Sequence, residues 1–223
     1  MRTGAVIFDC DGVLVDSETL AVRGERQALA AFGLNYKPAE YVRRFVGLHD
    51  NAFFDQLRAD YLEKHGAKAP RRFEREVLIA RRKERAALAM IDGADRALAA
   101  ADALFAAKAV ASSSRARFLE AKLKRVGLWS LARPHVYSAD LVERGKPAPD
   151  IFVYAAQKMG VSPARCIVLE DSENGVAAGV AADMRVWGFV GGGHCYEGHG
   201  ARLSAAGAER IFATFDGVVS AFC

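Results

Sequence analysis

Ala5-Val6-Ile7-Phe8-Asp9-Cys10-Asp11-Gly12-Val13-Leu14-Val15-Asp16 lies near the start of a chain of 223 residues. Four apolar residues suited to a strand stop at an acid, as a buried parallel strand does where its C-terminal end meets a site. Asp9 and Asp11 are two positions apart. In an extended chain they point to one side, separated by about 6.6 Å of rise, while Cys10 points to the other. An aspartate before glycine is common in plain turns, which is the structural alternative for Asp11. A second aspartate in phase after an apolar run points instead to two carboxylates meeting one ligand.

Further short β-prone runs follow at Ala107 to Ala111, His135 to Tyr137, Cys166 to Leu169 and Arg185 to Val190, with a possible edge strand at Arg210 to Phe212. Helical spacing lies between them. Leu119, Leu123 and Val126 recur at i, i+4, i+7 and are closed by Gly127. Pro149 suits a first helical turn, and Gly160 ends the helix that carries Ile151, Tyr154, Ala155 and Met159. Strands alternating with helices predict an α/β fold with a parallel, Rossmann-like sheet.

Residues 17–90 break this rhythm, since they carry helical spacing (Phe54, Leu57, Tyr61; Phe73, Val77, Ala80) and no convincing strand. The expected organisation is a core of residues 1–16 and 91–223 with an inserted α-helical cap of residues 17–90. Its expected hinges, Val15 to Ser17 and Met90 to Gly93, would let the insert rock over the strand ends as a lid.

Three later stretches belong with the first. Glu170-Asp171 ends an apolar run, and adding these acids to Asp9 and Asp11 in one crevice calls for a cation. All-oxygen ligands favour Mg²⁺; alternatively, Asp171 caps the helix that starts near Glu173. Ser112-Ser113-Ser114 follows a strand and suits an anion through hydroxyls and helix-start N–H groups, or else serves as a helix N-cap. Lys146-Pro147-Ala148-Pro149 sets an ammonium in a stiff loop, a place to hold a point charge rather than to bury it.

In order, Phe8 to Glu18, Val110 to Ser114, Lys146 to Asp150 and Leu169 to Ser172 resemble the four motifs of the haloacid dehalogenase (HAD) superfamily. The chain is particularly similar to the helical-cap branch containing β-phosphoglucomutases and small sugar-phosphate phosphatases. The resemblance implies that Asp9 is a nucleophile forming an aspartyl-phosphate and Asp11 the acid and base. Ser112, Ser113 and Lys146 would bind the phosphoryl group. Asp9, Asp11 through its backbone carbonyl, and Asp171 would hold Mg²⁺, with Glu170 nearby in the same metal set. Dehalogenases and phosphonatases lack the second aspartate, so Asp11 points to phosphate esters. A cap-hinge histidine of β-phosphoglucomutases falls where this chain has Ala21, which favours hydrolysis over phosphomutase chemistry. In the cap, the resemblance places a substrate-facing turn around Gly47, with His49 beside it. Sugar phosphates lead among the small phosphorylated metabolites expected as substrate.

Other features exclude more than they assign. Gly191 to His199 contains histidine and cysteine but no second paired half for zinc, and reads as a flexible loop after a strand, bordering the site entrance at most. The cysteines Cys10, Cys166, Cys195 and Cys223 are widely spaced, which predicts a reduced, cytoplasmic protein. No run approaches the roughly 18 apolar residues of a membrane span. The net charge is +4, and the basic excess in residues 17–90 has no aromatic interleaving or groove-reading motif, so neither nucleic acid nor membrane is expected as a partner. The expected state is a monomer or weak dimer. A non-enzymatic phosphoaspartate receiver-like domain is disfavoured, because such domains lack a helical insert and carry the phosphoacceptor on a later strand.

Overall fold

The computed structural model describes residues 2–45, 50–83 and 87–222. The chain divides into two compact units, Met1–Asp16 with Ala89–Cys223, and Ser17–Leu88.

The first unit is built on six parallel strands, β1 (Ala5–Phe8), β2 (Ala107–Ser112), β3 (Val136–Ser138), β4 (Cys166–Glu170), β5 (Arg185–Phe189) and β6 (Arg210–Phe212), in the order β3-β2-β1-β4-β5-β6. β1 is central and fully buried, which explains its unbroken apolar run. From β1 the chain builds outward to β2 and β3, then crosses back to β4 on the other side of β1. The C-terminal ends of β1 and β4 therefore flank the point where the winding reverses, the usual ligand crevice of an open α/β sheet.

Four strands differ by one residue from expectation, and those expected at Ala107 to Ala111 and Cys166 to Leu169 continue through Ser112 and Glu170. The strand expected at His135 to Tyr137 runs one residue later, with pairing to β2 beginning at Val136; the His135 carbonyl accepts the Val110 N–H at 2.8 Å. The strand expected over Arg185 to Val190 ends at Phe189, where three glycines from Gly191 begin to turn the chain away.

Helices α1 (Ser17–Ala31), α2 (Pro38–Phe45), α3 (Asp50–His65) and α4 (Phe73–Lys83) form the second unit. The sheet is accompanied by α5 (Ala94–Leu104), α6 (Ala116–Arg125), α7 (Trp129–Ala132), α8 (Asp150–Met159), α9 (Glu173–Ala181), α10 (His199–Ala205) and α11 (Phe215–Ala221). The second unit has its own aromatic core, in which Phe32, Tyr41, Phe45, Phe53, Leu57 and Phe73 are buried. Within the first unit, the two places where the chain leaves and returns lie side by side. Asp16 N–H donates to the Ala89 carbonyl and Ile91 N–H to the Leu14 carbonyl, both at 3.0 Å. Among the described residues no helix is long and apolar enough to cross a membrane.

Candidate active site

Parallel register carries the acids to one edge. Phe8 pairs with Val110 on one side and Leu169 on the other, so Asp9 and Glu170 come side by side at the sheet's C-terminal edge, where the Asp9 N–H donates to the Leu169 carbonyl at 2.9 Å. Beyond Asp9 the chain folds back on itself: the Cys10 carbonyl accepts from Leu14 (2.9 Å) and Val15 (3.0 Å), and Gly12 N–H donates to Val15 at 2.8 Å. Gly12 has φ +80°, and a Cβ there would lie 1.9 Å from Asp171 Oδ2. The glycine of the Asp-Gly pair thus allows both the turn and the approach of the fourth acid.

Ligand oxygens of Asp9, Glu170 and Asp171 lie within 4.8 Å of one another, and all three residues are buried. Lys146 joins them: Nζ is 2.5 Å from Asp9 Oδ1 and 2.6 Å from Glu170 Oε1, and donates to the Ala111 carbonyl at 3.2 Å. Its side chain is only 5% exposed, which corrects the expectation of an unburied point charge; two flanking carboxylates offset the desolvation. Burial works against the Lys146 ammonium, but Asp9 and Glu170 outweigh it and hold it charged, above the usual lysine range. Glu170 Oε2 accepts from the N–H groups of Asp171 and Ser172 at 3.1 Å and from the Ser172 hydroxyl at 3.0 Å. With both oxygens engaged, Glu170 is suited to anchoring Lys146. Gly175 leaves the space its carboxylate needs, since a Cβ there would meet it at 1.9 Å.

Asp11 stands apart from this buried group. Its Oδ2 accepts from Ser114 Oγ at 2.8 Å and Ser112 Oγ at 3.3 Å, and Lys122 of α6 pairs with its Oδ1. Sequence reasoning missed Lys122, which in Lys122-Leu123-Lys124-Arg125 looks like any solvated helix cation. Ser112 is buried and Ser113 exposed; Ser112 and Ser114 are the serines turned toward Asp11. The triplet does not cap the next helix. Asp140 Oδ2 accepts the Ala116 N–H at 2.8 Å at that helix start. Nor does Asp171 cap α9, where the Ser172 hydroxyl accepts from Gly175 N–H at 3.0 Å. Gly47 and His49 lie outside the described residues.

The glycine-rich segment expected to be a flexible loop instead packs into the site. His194 is 1% exposed, with Nε2 2.9 Å from Asp171 Oδ2, and His199 Nε2 is 2.6 Å from the Asp171 carbonyl oxygen. Cys195 Sγ is 3.5 Å from His194 Nε2; burial, reinforced by Asp171, pushes its thiol up to about 12. The glycines whose missing side chains admit this packing were read in the sequence only as flexibility.

Among the described residues, Asp9, Asp11, Glu170 and Asp171 face the ammonium groups of Lys146 and Lys122, leaving two negative charges when all are ionised. Burial, followed by the balance of Lys146 against the neighbouring carboxylates, raises Asp9 well above its ordinary range. Burial and Glu170 do the same to Asp171. Buried carboxylates held this close with incomplete compensation fit a hard divalent cation.

A family model described as haloacid dehalogenase-like hydrolase matches residues 3–183. The chain belongs to that family, and the parallel sheet with its site at the strand ends is the fold of the family. It is 29% identical over 202 residues to the 6-phosphogluconate phosphatase of Escherichia coli (strain K12), covering 86% of this chain and 85% of the relative. It is 30% identical over 195 residues to the fructose-1-phosphate phosphatase of the same organism, covering 82% and 94%. Among solved structures, a HAD family hydrolase from Deinococcus radiodurans R1 with bound phosphate and sodium is similar at TM-score 0.87 and 34% identity, over 99% of this chain and 95% of that one.

Proposed function

We propose that this hydrolase is a Mg²⁺-dependent phosphatase of a small phosphorylated metabolite, of the sugar-phosphate class, working through an aspartyl-phosphate on Asp9. The observation that carries the reading is the buried group of Asp9, Asp171, Glu170 and Lys146 at the strand ends, acidic in excess. Asp9, Asp171 and the backbone carbonyl of Asp11 would hold the ion, with Glu170 behind Lys146. When bound, the ion supplies positive charge against the phosphoryl oxygens.

The chain's own residues account for the remaining steps. A carboxylate oxygen of Asp9 attacks phosphorus as the bond to the leaving oxygen breaks, and Asp11 gives its proton to that oxygen. Asp11 then takes a proton from water, whose oxygen attacks phosphorus and frees Asp9. Ser114 and Lys122 orient Asp11 for both transfers, and the Lys122 contact suits the ionised form that serves as base. Lys146, with Ser112 and Ser113, would bind the phosphoryl group. The inserted helical unit would act as the cap that selects substrate. Similarity to phosphatases named for 6-phosphogluconate and fructose 1-phosphate supports the substrate class.

The test is phosphate release from a panel of sugar phosphates, phosphoglycolate, nucleotide monophosphates and p-nitrophenyl phosphate, with Mg²⁺ or with EDTA, while isomerised products are monitored. Sugar phosphates are expected to give the highest kcat/KM and EDTA to suppress release. An isomerised sugar phosphate in place of free phosphate would transfer the assignment to a phosphomutase. Absence of turnover on every ester would remove the phosphatase reading.

A further inference from the structure

The segment between β5 and α10 returns to the strand ends and grips one residue twice. Both contacts come from histidines, and both fall on Asp171. His194 Nε2 lies 2.9 Å from the carboxylate oxygen Oδ2, and His199 Nε2 lies 2.6 Å from the backbone carbonyl oxygen.

The protons on these rings follow from their neighbours. Arg202 can only donate, and its guanidinium is 3.0 Å from His199 Nδ1, so Nδ1 accepts and Nε2 carries the hydrogen given to the Asp171 carbonyl. Arg202 is held in turn by Glu173 Oε1 at 2.8 Å, in the first turn of the helix that follows Asp171. A carboxylate can only accept, so His194 Nε2 carries the hydrogen directed at Oδ2. The two rings meet edge to face with centroids 5.5 Å apart, which ties the carboxylate contact to the backbone contact. Nε2 of both rings and Nδ1 of His199 are thus directed at Asp171 and Arg202.

Space for this arrangement is built into the backbone. A Cβ at either Gly12 or Gly192 would lie 2.8 Å from His194 Cε1. The ring therefore occupies a slot made by two glycines, one from the turn after Asp9 and one from its own loop. Such a fit restricts the rotation of the ring and, through Nε2, of the Asp171 carboxyl group.

We propose that His194 and His199 are positioning residues that hold the side chain and the backbone of Asp171 in the orientation required to bind the divalent ion. This rests on the assignment of Asp171 as a ligand of that ion. Outer partners of metal-binding groups typically contribute 10- to 100-fold in metal affinity, and neither histidine needs to touch substrate.

Mn²⁺ binding to the full chain, followed by the loss of the free-ion electron paramagnetic resonance signal, tests this without reference to turnover. His194→Ala and His199→Ala are each expected to weaken binding about 10- to 100-fold. The Mg²⁺ concentration giving half-maximal phosphate release should rise by the same factor. His194→Gln keeps a side-chain N–H donor and is expected to recover most of the affinity, a rescue that general loosening of the loop would not produce. Should the alanine variants fail to fold, His194→Gln is compared with His194→Leu, which fills the slot without a donor. Unchanged Mn²⁺ affinity in folded variants lacking the donor overturns the proposal. Asp171→Asn separates the two levels: if it abolishes binding while the histidine variants leave the Mn²⁺ affinity unchanged, only the positioning role fails. If Asp171→Asn leaves Mn²⁺ binding intact, the ligand assignment fails and the positioning role with it.

Discussion

In the inserted helical unit, buried charge is matched where it stands. The Glu25 carboxylate, 5% exposed, accepts from the Tyr41 hydroxyl at 2.8 Å and pairs with Arg81. Asp60 accepts two bonds from Arg44, at 2.8 and 2.7 Å, and one from the Tyr36 hydroxyl at 2.5 Å. At the strand ends of the other unit, Asp9, Glu170 and Asp171 are buried around the single ammonium of Lys146, among the described residues. The first arrangement is complete without a ligand and serves to hold helices together. The second leaves acidic charge in excess in a poor solvent, which is the ground for proposing that a cation and a phosphate ester bind there.

The largest expected effect comes from removing the acid at the centre of the unbalanced group. Asp9→Asn should lower kcat for phosphate release on the order of 10⁶-fold, the scale seen when a covalent nucleophile is lost. The same substitution should raise the melting temperature of the metal-free protein at neutral pH, because it deletes a strained charge. A drop in both quantities would show that Asp9 is architectural, like Glu25. Asp11→Ala comes next, with kcat reduced about 10²- to 10⁴-fold as expected for loss of general acid–base assistance; single-turnover phosphate release would expose a smaller role.

On the balanced side, Arg81→Met leaves Glu25 buried without its cation. Denaturant unfolding should register a loss of about 2–3 kcal/mol, at or just under the lower end for a broken buried pair, because the Arg81 side chain remains 24% exposed. An unchanged midpoint would remove the contrast between the units.

The smallest effect concerns pH. The folded-state values of Asp9 and Asp171 lie well above the ordinary 3.8. Their contribution to stability is therefore fully present below that value and is lost as pH rises through the raised folded values. A bound cation favours the ionised forms, so the gain in melting temperature on adding Mg²⁺ should grow with pH across the same interval. Melts in EDTA and in Mg²⁺ at a series of pH values measure it, and a gain that shrinks with rising pH would contradict the assignment.

Much of the site was legible because strand ends concentrate it. Asp9, Glu170 and Asp171 each follow an apolar run, and parallel pairing makes such ends converge whatever lies between them. Lys122 was not legible: on a helix already carrying Lys124 and Arg125, no local pattern separates the cation that turns inward from those that face water. Ser114, rather than Ser113, meets Asp11 for a similar reason, since side-chain direction within a turn depends on the exact backbone path. Glu25 looks like an exposed helix charge until Arg81, 56 residues later, covers it.

The sequence by itself determined the alternation of strand and helix, the helical interruption and the acids at the sheet's edge, because these follow from short-range periodicity and from chain direction. Only the tertiary structure decided which charges are compensated and how Asp171 is held. His194 and His199 reach it across a loop whose path depends on close approaches at Gly12 and Gly192, and steric room of that kind exists only once distant backbones have packed.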